Sequence, residues 1–376
     1  MTWTECRYTR EEINRQGREL VRLLNIDTEQ WSADDYLAFR RMSTVVNNWR
    51  GCHAYPLNVL QMNLRRAARR FDDEPLIAQR TKRLISIANK LDIRPDMKLS
   101  QMQDIGGCRA VLKSVAGVRA LDEFYENQSQ MKHSLVHRDN YIFQPKESGY
   151  RGIHRVYRFL SDKEGGRRFN GLKIEMQIRS QYQHAWATAV ETVGTFLGEA
   201  LKSSIGPDAW LRFFVLMSSA IALRERTPLV PLTPASPSEL KSELDHTAAR
   251  LNVEQRLSAY NHALQRLTND TDDAHYYLLK LNTRTETLAV TGFKADEAEK
   301  AQQAYSNEES AIKGEGTDVV LVAVDSLAAL QRAYPNYFAD TRIFLELLRQ
   351  ARQGRARRVF TGQLSLPLII PNPKST

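Results

Sequence analysis

Six cations, two carboxylates and one aromatic stand out in the first two hundred residues because together they suit polyphosphate chemistry. The cations are Arg80, Lys82, Arg109, Lys146, Arg151 and Arg179, the carboxylates are Asp104 and Glu175, and Tyr150 follows a glycine in a loop. Phosphoryl transfer asks for little covalent work. It needs Mg²⁺ held by one or two carboxylates, cations on the phosphate oxygens and an acceptor placed in line. This set meets those needs, although an ion-paired sheet face would use the same residue types. Cys6, Cys52 and Cys108 fall in no CxxC or Cys/His spacing, which sets disulfide and zinc chemistry aside.

The elements that must position these groups are partly visible. GLKIEMQIRS alternates strictly: Leu172, Ile174, Met176 and Ile178 point to one face, and Lys173, Glu175, Gln177 and Arg179 to the other. That predicts a strand covered by helices on one side. CRAVL, and the segment after the Pro/Gly loop in DNYIFQPKESGYRGIHRVYRFL, read as further strands. SVAGVRALDEFYEN and QYQHAWATAVETVGTFLGEAL read as helices. QRTKRLISIANKLD also reads as a helix, in which Lys82 and Ser86 share a face with Arg80 at its entry. Upstream, Leu57, Leu60, Leu64, Ala67 and Phe71 recur at helical spacing. Arg65, Arg66, Arg69 and Arg70 fall opposite them, either a patch for a nucleic-acid backbone or a solvated face. The expected fold is α+β, with a central, largely antiparallel mixed sheet flanked by helices.

Charge divides the chain unevenly. Its 376 residues carry a net +9, but up to Arg226 there are 36 Lys and Arg against 26 Asp and Glu, and beyond it 17 against 18. The excess is wholly N-terminal, which points to a polyanionic ligand. The division coincides with TPLVPLTPASPS, whose four prolines in 12 residues read as a linker. The expected organisation is a catalytic domain over 1–226, a linker and helix over 227–272, and a C-terminal module over 273–376. SELKSELDHTAARLNVEQRLSAYNHALQRL reads as helical. The C-terminal module reads as a hairpin, a helix, a strand and two helical pieces broken at Pro335, hence a small ββαβα, finger-like unit without zinc ligands. No apolar run approaches the roughly 20 residues of a membrane span, and the first residues hold no apolar signal core, so a cytoplasmic location without membrane partners is expected.

Four segments then carry a resemblance. RTKRLIS (Arg80 to Ser86), QDIGGCRAV (Gln103 to Val111), PKESGYRGIH (Pro145 to His154) and IEMQIRS (Ile174 to Ser180) follow the order and approximate spacing of the RelA/SpoT-type nucleotide pyrophosphokinase domain. The chain resembles that family over roughly residues 45–200. The resemblance implies transfer of the β,γ-pyrophosphate of ATP to a 3′-hydroxyl, with release of AMP. It implies Asp104 and Glu175 as Mg²⁺ ligands, Glu175 also orienting or deprotonating the attacking hydroxyl. Arg80, Lys82, Ser86 and Arg109 resemble the ATP-binding set. Tyr150 resembles the aromatic that stacks on the acceptor base, with Lys146, His154, Gln177 and Arg179 around it. No HD-type hydrolase motif precedes the domain, so synthesis without degradation is expected.

The loop carries Ser148 where long enzymes of the family usually have Asn, and Glu147 adds a negative charge beside the acceptor pocket, which leaves guanine as the acceptor base open. In length, domain order and zinc-free C-terminal module the chain resembles fused toxin–antitoxin synthetases of the CapRel type. That resemblance implies the tRNA 3′ CCA end as acceptor, with Arg65 to Arg70 as a tRNA patch. It also implies Tyr334 and Tyr337 of YPNY as an inhibitory plug near Arg80, and a phage capsid protein as the trigger of release. The alternatives are an alarmone synthetase acting on free GDP, GTP or an adenine nucleotide, and a catalytically dead RNA-binding or partner-sensing module.

Overall fold

A computed structural model describes residues 3–27, 30–127, 131–197, 207–263, 265–269, 274–282, 284–285, 287–311, 317–323, 330, 334 and 341–353. Three helices lead: α1 (Arg10–Leu24), α2 (Ala33–Cys52) and α3 (Ala54–Ala68). Each of the first two begins where a hydroxyl accepts an otherwise orphaned backbone N–H. Thr9 accepts from Glu12, and Ser32 forms a reciprocal capping box with Asp35. Then follow β1 (Leu76–Thr81), α4 (Leu84–Ile93), β2 (Gly106–Leu112), α5 (Val115–Asn127), β3 (Ser134–Asn140), β4 (Ile153–Arg158), α6 (Glu164–Arg167), β5 (Lys173–Ser180), α7 (Gln181–Leu197) and α8 (Asp208–Glu225). Past the prolines come α9 (Pro237–Arg250), α10 (Val253–Ala263), β6 (Gln265–Asn269), β7 (Tyr276–Asn282), β8 (Thr287–Phe293), α11 (Ala298–Ala311), β9 (Thr317–Ala323) and α12 (Arg342–Arg352).

Among the described residues, nine strands join one sheet in the order β3-β4-β5-β2-β1-β9-β7-β8-β6. β2 runs parallel to β5, and β6 to β8; the other neighbours are antiparallel, so the sheet is mixed and largely antiparallel, as expected. The alternation of β5 sorts its faces. Ile174, Met176 and Ile178 are buried against Leu57, Leu60 and Leu64 of α3 in the main core, which leaves Glu175 and Gln177 on the opposite face.

Several expectations are corrected. Residues 79–81 belong to a strand and not to a helix, because Arg80 is paired on both sides, with Gly107 and with Val322, and α4 begins only at Leu84. Lys82 therefore lies outside the helix that carries Ser86. Strand β3 was not expected: it is an edge strand, exposed over most of its length, and has no apolar alternation to betray it. The single helical stretch expected after the prolines breaks at Asn252, which adopts φ 51°, and its last three residues, Gln265 to Leu267, fall in β6. Helix α3 stops at Ala68, so Arg69 and Arg70 lie past its end.

The ββαβα order is present in the C-terminal part, but it is not a separate finger-like module. Its strand β9 pairs with β1 and extends the main sheet, while α12 packs with α7, α8 and α9 in a second core that includes Trp210, Phe213, Phe214 and Phe344. Both joins are driven by burial. The pairing supplies partners for the edge of β1, and Phe344, Leu345, Leu347 and Leu348 give α12 an apolar face to cover.

Candidate active site

The site lies on the polar face of the sheet and has two sides. On one, the loop from β1 to α4 brings Lys82 to Asp104: Lys82 N donates to the Ile105 carbonyl at 2.8 Å, and its Nζ reaches Asp104 Oδ2 at 2.9 Å. Lys90, one helical turn beyond Ser86 on α4, holds Asp104 Oδ1 at 2.9 Å. Burial alone would push the Asp104 carboxyl up. The two ammonium groups outweigh it, so its pKa lies below the ordinary range. The same burial draws the Lys82 ammonium down despite Asp104.

Arg109 projects from β2 beside Arg80. Burial draws its pKa down to about 10, and the neighbouring charges of Arg179 and Arg80 add to that fall. It remains a cation at neutral pH. Tyr334 covers it: the guanidinium sits 5.2 Å from the ring centroid, and the tyrosine hydroxyl donates to the Gln79 carbonyl at 3.2 Å. Tyr334 is 4% exposed. Tyr337 lies outside the described residues.

On the other side, Tyr150, His154, Glu175, Gln177 and Arg179 form one hydrogen-bonded chain. His154 Nδ1 lies 2.9 Å from Glu175 Oε1, and its Nε2 lies 2.5 Å from the Tyr150 hydroxyl. An ionised carboxylate can only accept, so Nδ1 donates to Glu175, while Nε2 pairs with the Tyr150 hydroxyl. Gln177 Nε2 donates to Glu175 Oε2 at 2.6 Å, and Arg179 donates to both Gln177 Oε1 and the Tyr150 hydroxyl. Burial would raise the Glu175 carboxyl, but the His154 and Gln177 bonds and the charge of Lys82 bring it to about 2. It is a carboxylate throughout the neutral range.

The two sides meet at the carboxylates. Glu175 pairs with Gly107 across the parallel β2–β5 register, and Asp104 lies just upstream of β2, so both acids stand at the same end of adjacent strands. Each feels the other or the shared Lys82. Among the described residues no group of three or more His, Cys, Asp or Glu could hold a metal. Two carboxylates nonetheless fit Mg²⁺, which keeps water ligands and takes the rest of its shell from substrate phosphates. Lys82, Lys90, His154 and Gln177 occupy their oxygens here.

The structure thus assembles Arg80, Lys82, Asp104 and Arg109 on one side and Lys146, Tyr150, His154, Glu175, Gln177 and Arg179 on the other. Ser86 lies half-buried in the first turn of α4. Tyr150 is 5% exposed, with the Arg179 guanidinium 4.9 Å over its ring and Lys146 Nζ 5.5 Å from its centroid, so the ring is enclosed in this state. Arg65, Arg66, Arg69 and Arg70 are not brought to the site, since α3 packs on the other face of the sheet; Arg70 lies over Phe124.

Sequence reasoning missed Lys90, whose four-residue spacing from Ser86 was a usable signal. It also missed a buried contact from α11. Glu309 accepts from the Leu84 N–H at 2.8 Å and from Arg50 Nη1 at 2.6 Å, and Arg50 stacks on Tyr305 at 4.8 Å. No local signal links residues 225 apart.

Residues 79–193 match the family described as "Region found in RelA / SpoT proteins". The GTP pyrophosphokinase YjbM of Bacillus subtilis (strain 168) is 29% identical over 121 residues, which are 31% of this chain. The chain spans 56% of that curated relative's length. Among solved structures, small alarmone synthetase 1 of Bacillus subtilis bound to its product pppGpp is similar at 22% identity and a TM-score of 0.40, over 46% of this chain and 89% of that one. A GTP pyrophosphokinase family protein of Streptococcus pneumoniae is similar at 21% identity and a TM-score of 0.38, over 46% of this chain and 86% of that one.

Proposed function

We propose, from the premise that the chain carries a RelA/SpoT-type pyrophosphokinase domain, that it moves the β,γ-pyrophosphate of ATP onto a 3′-hydroxyl. The observation that carries this reading is the placement of Asp104 and Glu175 at one end of β2 and β5 with Lys82 shared between them. In this reading the acceptor oxygen attacks the β-phosphorus, the bond between the α–β bridging oxygen and the β-phosphorus breaks, and AMP leaves with that oxygen. Arg80, Lys82 and Arg109 bind the triphosphate, Lys82 exchanging Asp104 for phosphate oxygen. Mg²⁺ held by Asp104 and Glu175 would neutralise charge on the phosphate oxygens. Glu175, held ionised by His154 and Gln177, accepts the hydrogen bond of the attacking hydroxyl.

The acceptor we favour is the 3′ end of tRNA, supported by the basic excess before Arg226 and by the resemblance to fused toxin–antitoxin synthetases. A free guanine nucleotide is the second reading, favoured by the relative named GTP pyrophosphokinase. Tyr334, seated on Arg109 and on the Gln79 carbonyl, supports autoinhibition: ATP and this ring compete for one arginine. Release by a phage protein follows from the resemblance alone.

The test is the full chain with Tyr334→Ala, given ATP labelled at the γ-phosphate together with bulk tRNA and GDP. Label on tRNA, lost steeply as salt rises, is the expected result. Label confined to the free nucleotide, with a shallow salt response, rejects the tRNA reading.

A further inference from the structure

Tyr150 is held from both flanks by one hydroxyl. Ser218 of α8 donates from Oγ to the Gly149 carbonyl at 2.6 Å and accepts from Arg151 Nε at 2.9 Å. The residues immediately before and after Tyr150 are thereby tied to the same atom. Arg151 uses its other donors to extend the clamp, Nη1 to the Ile142 carbonyl at 3.3 Å and Nη2 to the Pro228 carbonyl at 2.7 Å. Both members are buried, Ser218 at 1% and Arg151 at 3% exposure.

Gly149 permits the close approach. Its φ is 87°, and a Cβ there would lie 3.0 Å from the Ser218 Cβ and 3.1 Å from the Trp186 ring. A guanidinium is costly to bury, and this one is retained with acceptors drawn from the loop, from α8 and from the start of the proline segment. None of these partners is a member of the Tyr150–His154–Glu175 chain. Their common effect is to fix where the Tyr150 backbone, and so its ring and hydroxyl, can sit.

We infer that Ser218 and Arg151 are positioning residues for the acceptor side of the site, and that α8 forms its back wall together with Thr227 and Pro228, whose hydroxyl and carbonyl oxygens accept from Arg151. This extends the functional unit beyond residues 79–193, into a helix and a proline segment outside the matched region. The inference rests on the reading of Tyr150 as the acceptor-binding aromatic.

The test uses the full chain carrying Tyr334→Ala as parent, with steady-state transfer measured at varied ATP and at varied bulk tRNA or GDP. Ser218→Ala is expected to raise the KM for the acceptor about tenfold while leaving the KM for ATP within about twofold. Arg151→Lys keeps the charge but not the fork, and should shift the acceptor KM in the same direction. Ile221→Val, a small cavity in the same helix, should lower the melting temperature without moving either KM. Equal rises for ATP and acceptor, or the same acceptor effect from Ile221→Val, overturn the positioning role. If the parent transfers to neither acceptor, the functional reading fails, and NMR of the ¹⁵N-histidine-labelled full chain decides the inference. Ser218→Ala must then shift the His154 Nε2 resonance, because that nitrogen holds the Tyr150 hydroxyl; an unmoved resonance overturns it.

Discussion

The two sides of the site are held by different parts of the chain. The C-terminal part grips the Arg80–Leu84 side at three points: β9 pairs with Gln79 and Arg80, Tyr334 caps Arg109, and Glu309 of α11 accepts from Leu84. The Tyr150 side is held by β4, β5 and α8. The chemistry differs in the same way. Asp104 is neutralised by two ammonium groups, which a phosphate could draw away, whereas Glu175 sits in a fixed chain of imidazole, amide and guanidinium. The C-terminal part thus touches the Arg80–Leu84 side directly, whereas it reaches the Tyr150 side only through the core that α12 shares with α7 and α8.

The sharpest break would come at the shared carboxylate. Glu175→Gln should cut transfer about 10³- to 10⁴-fold, read as AMP release per folded enzyme; a tenfold loss or less would remove Glu175 from the chemistry. Next in size is the C-terminal grip. Arg50→Ala leaves Glu309 buried beside Leu84 without its cation and should cost about 3 kcal/mol in urea unfolding, while Glu309→Gln costs less. If Arg50→Ala costs under about 1 kcal/mol, the grip does not hold α2 and α4.

Tyr334→Ala should lower the KM for ATP about tenfold and leave the acceptor KM unchanged, since it frees only the arginine side. Parallel changes in both would erase the distinction between the two sides. The smallest effect is in pH. Glu175 falls from its ordinary 4.5 to about 2 on folding, so the unfolded chain binds more protons between those values. Its stabilising contribution is complete above about pH 4.5 and is lost as pH falls towards 2. Glu175→Gln should flatten that part of the stability curve, and an unchanged slope would contradict the assignment.

How much of this was legible beforehand follows from the range of each interaction. Strand β5 was legible because alternation is a property of neighbours, and Asp104, Tyr150, His154 and Glu175 were legible because they sit inside short motifs. The β1 strand was hidden: Leu76–Thr81 has neighbours on both sides, but one of them is β9, far along the chain, so no local pattern reports that pairing. Asn252 ended a helix that periodicity alone would have continued, because its left-handed backbone carries no hydrophobic signature. The same limit applied to the clamp around Tyr150, whose Ser218 lies 69 residues from Gly149, and to Glu309. Contacts that bury polar groups across such separations are visible only once the fold has brought them together.

In the proposed function, residues 79–193 with their flanking helices transfer a pyrophosphoryl group intact. The most direct measurement follows ATP labelled at both the β- and γ-phosphates through the Tyr334→Ala full chain. The expected result is AMP in equal amount to doubly labelled acceptor, and neither product with Glu175→Gln. ADP with singly labelled acceptor, or ATP breakdown that leaves every acceptor unlabelled, would contradict it.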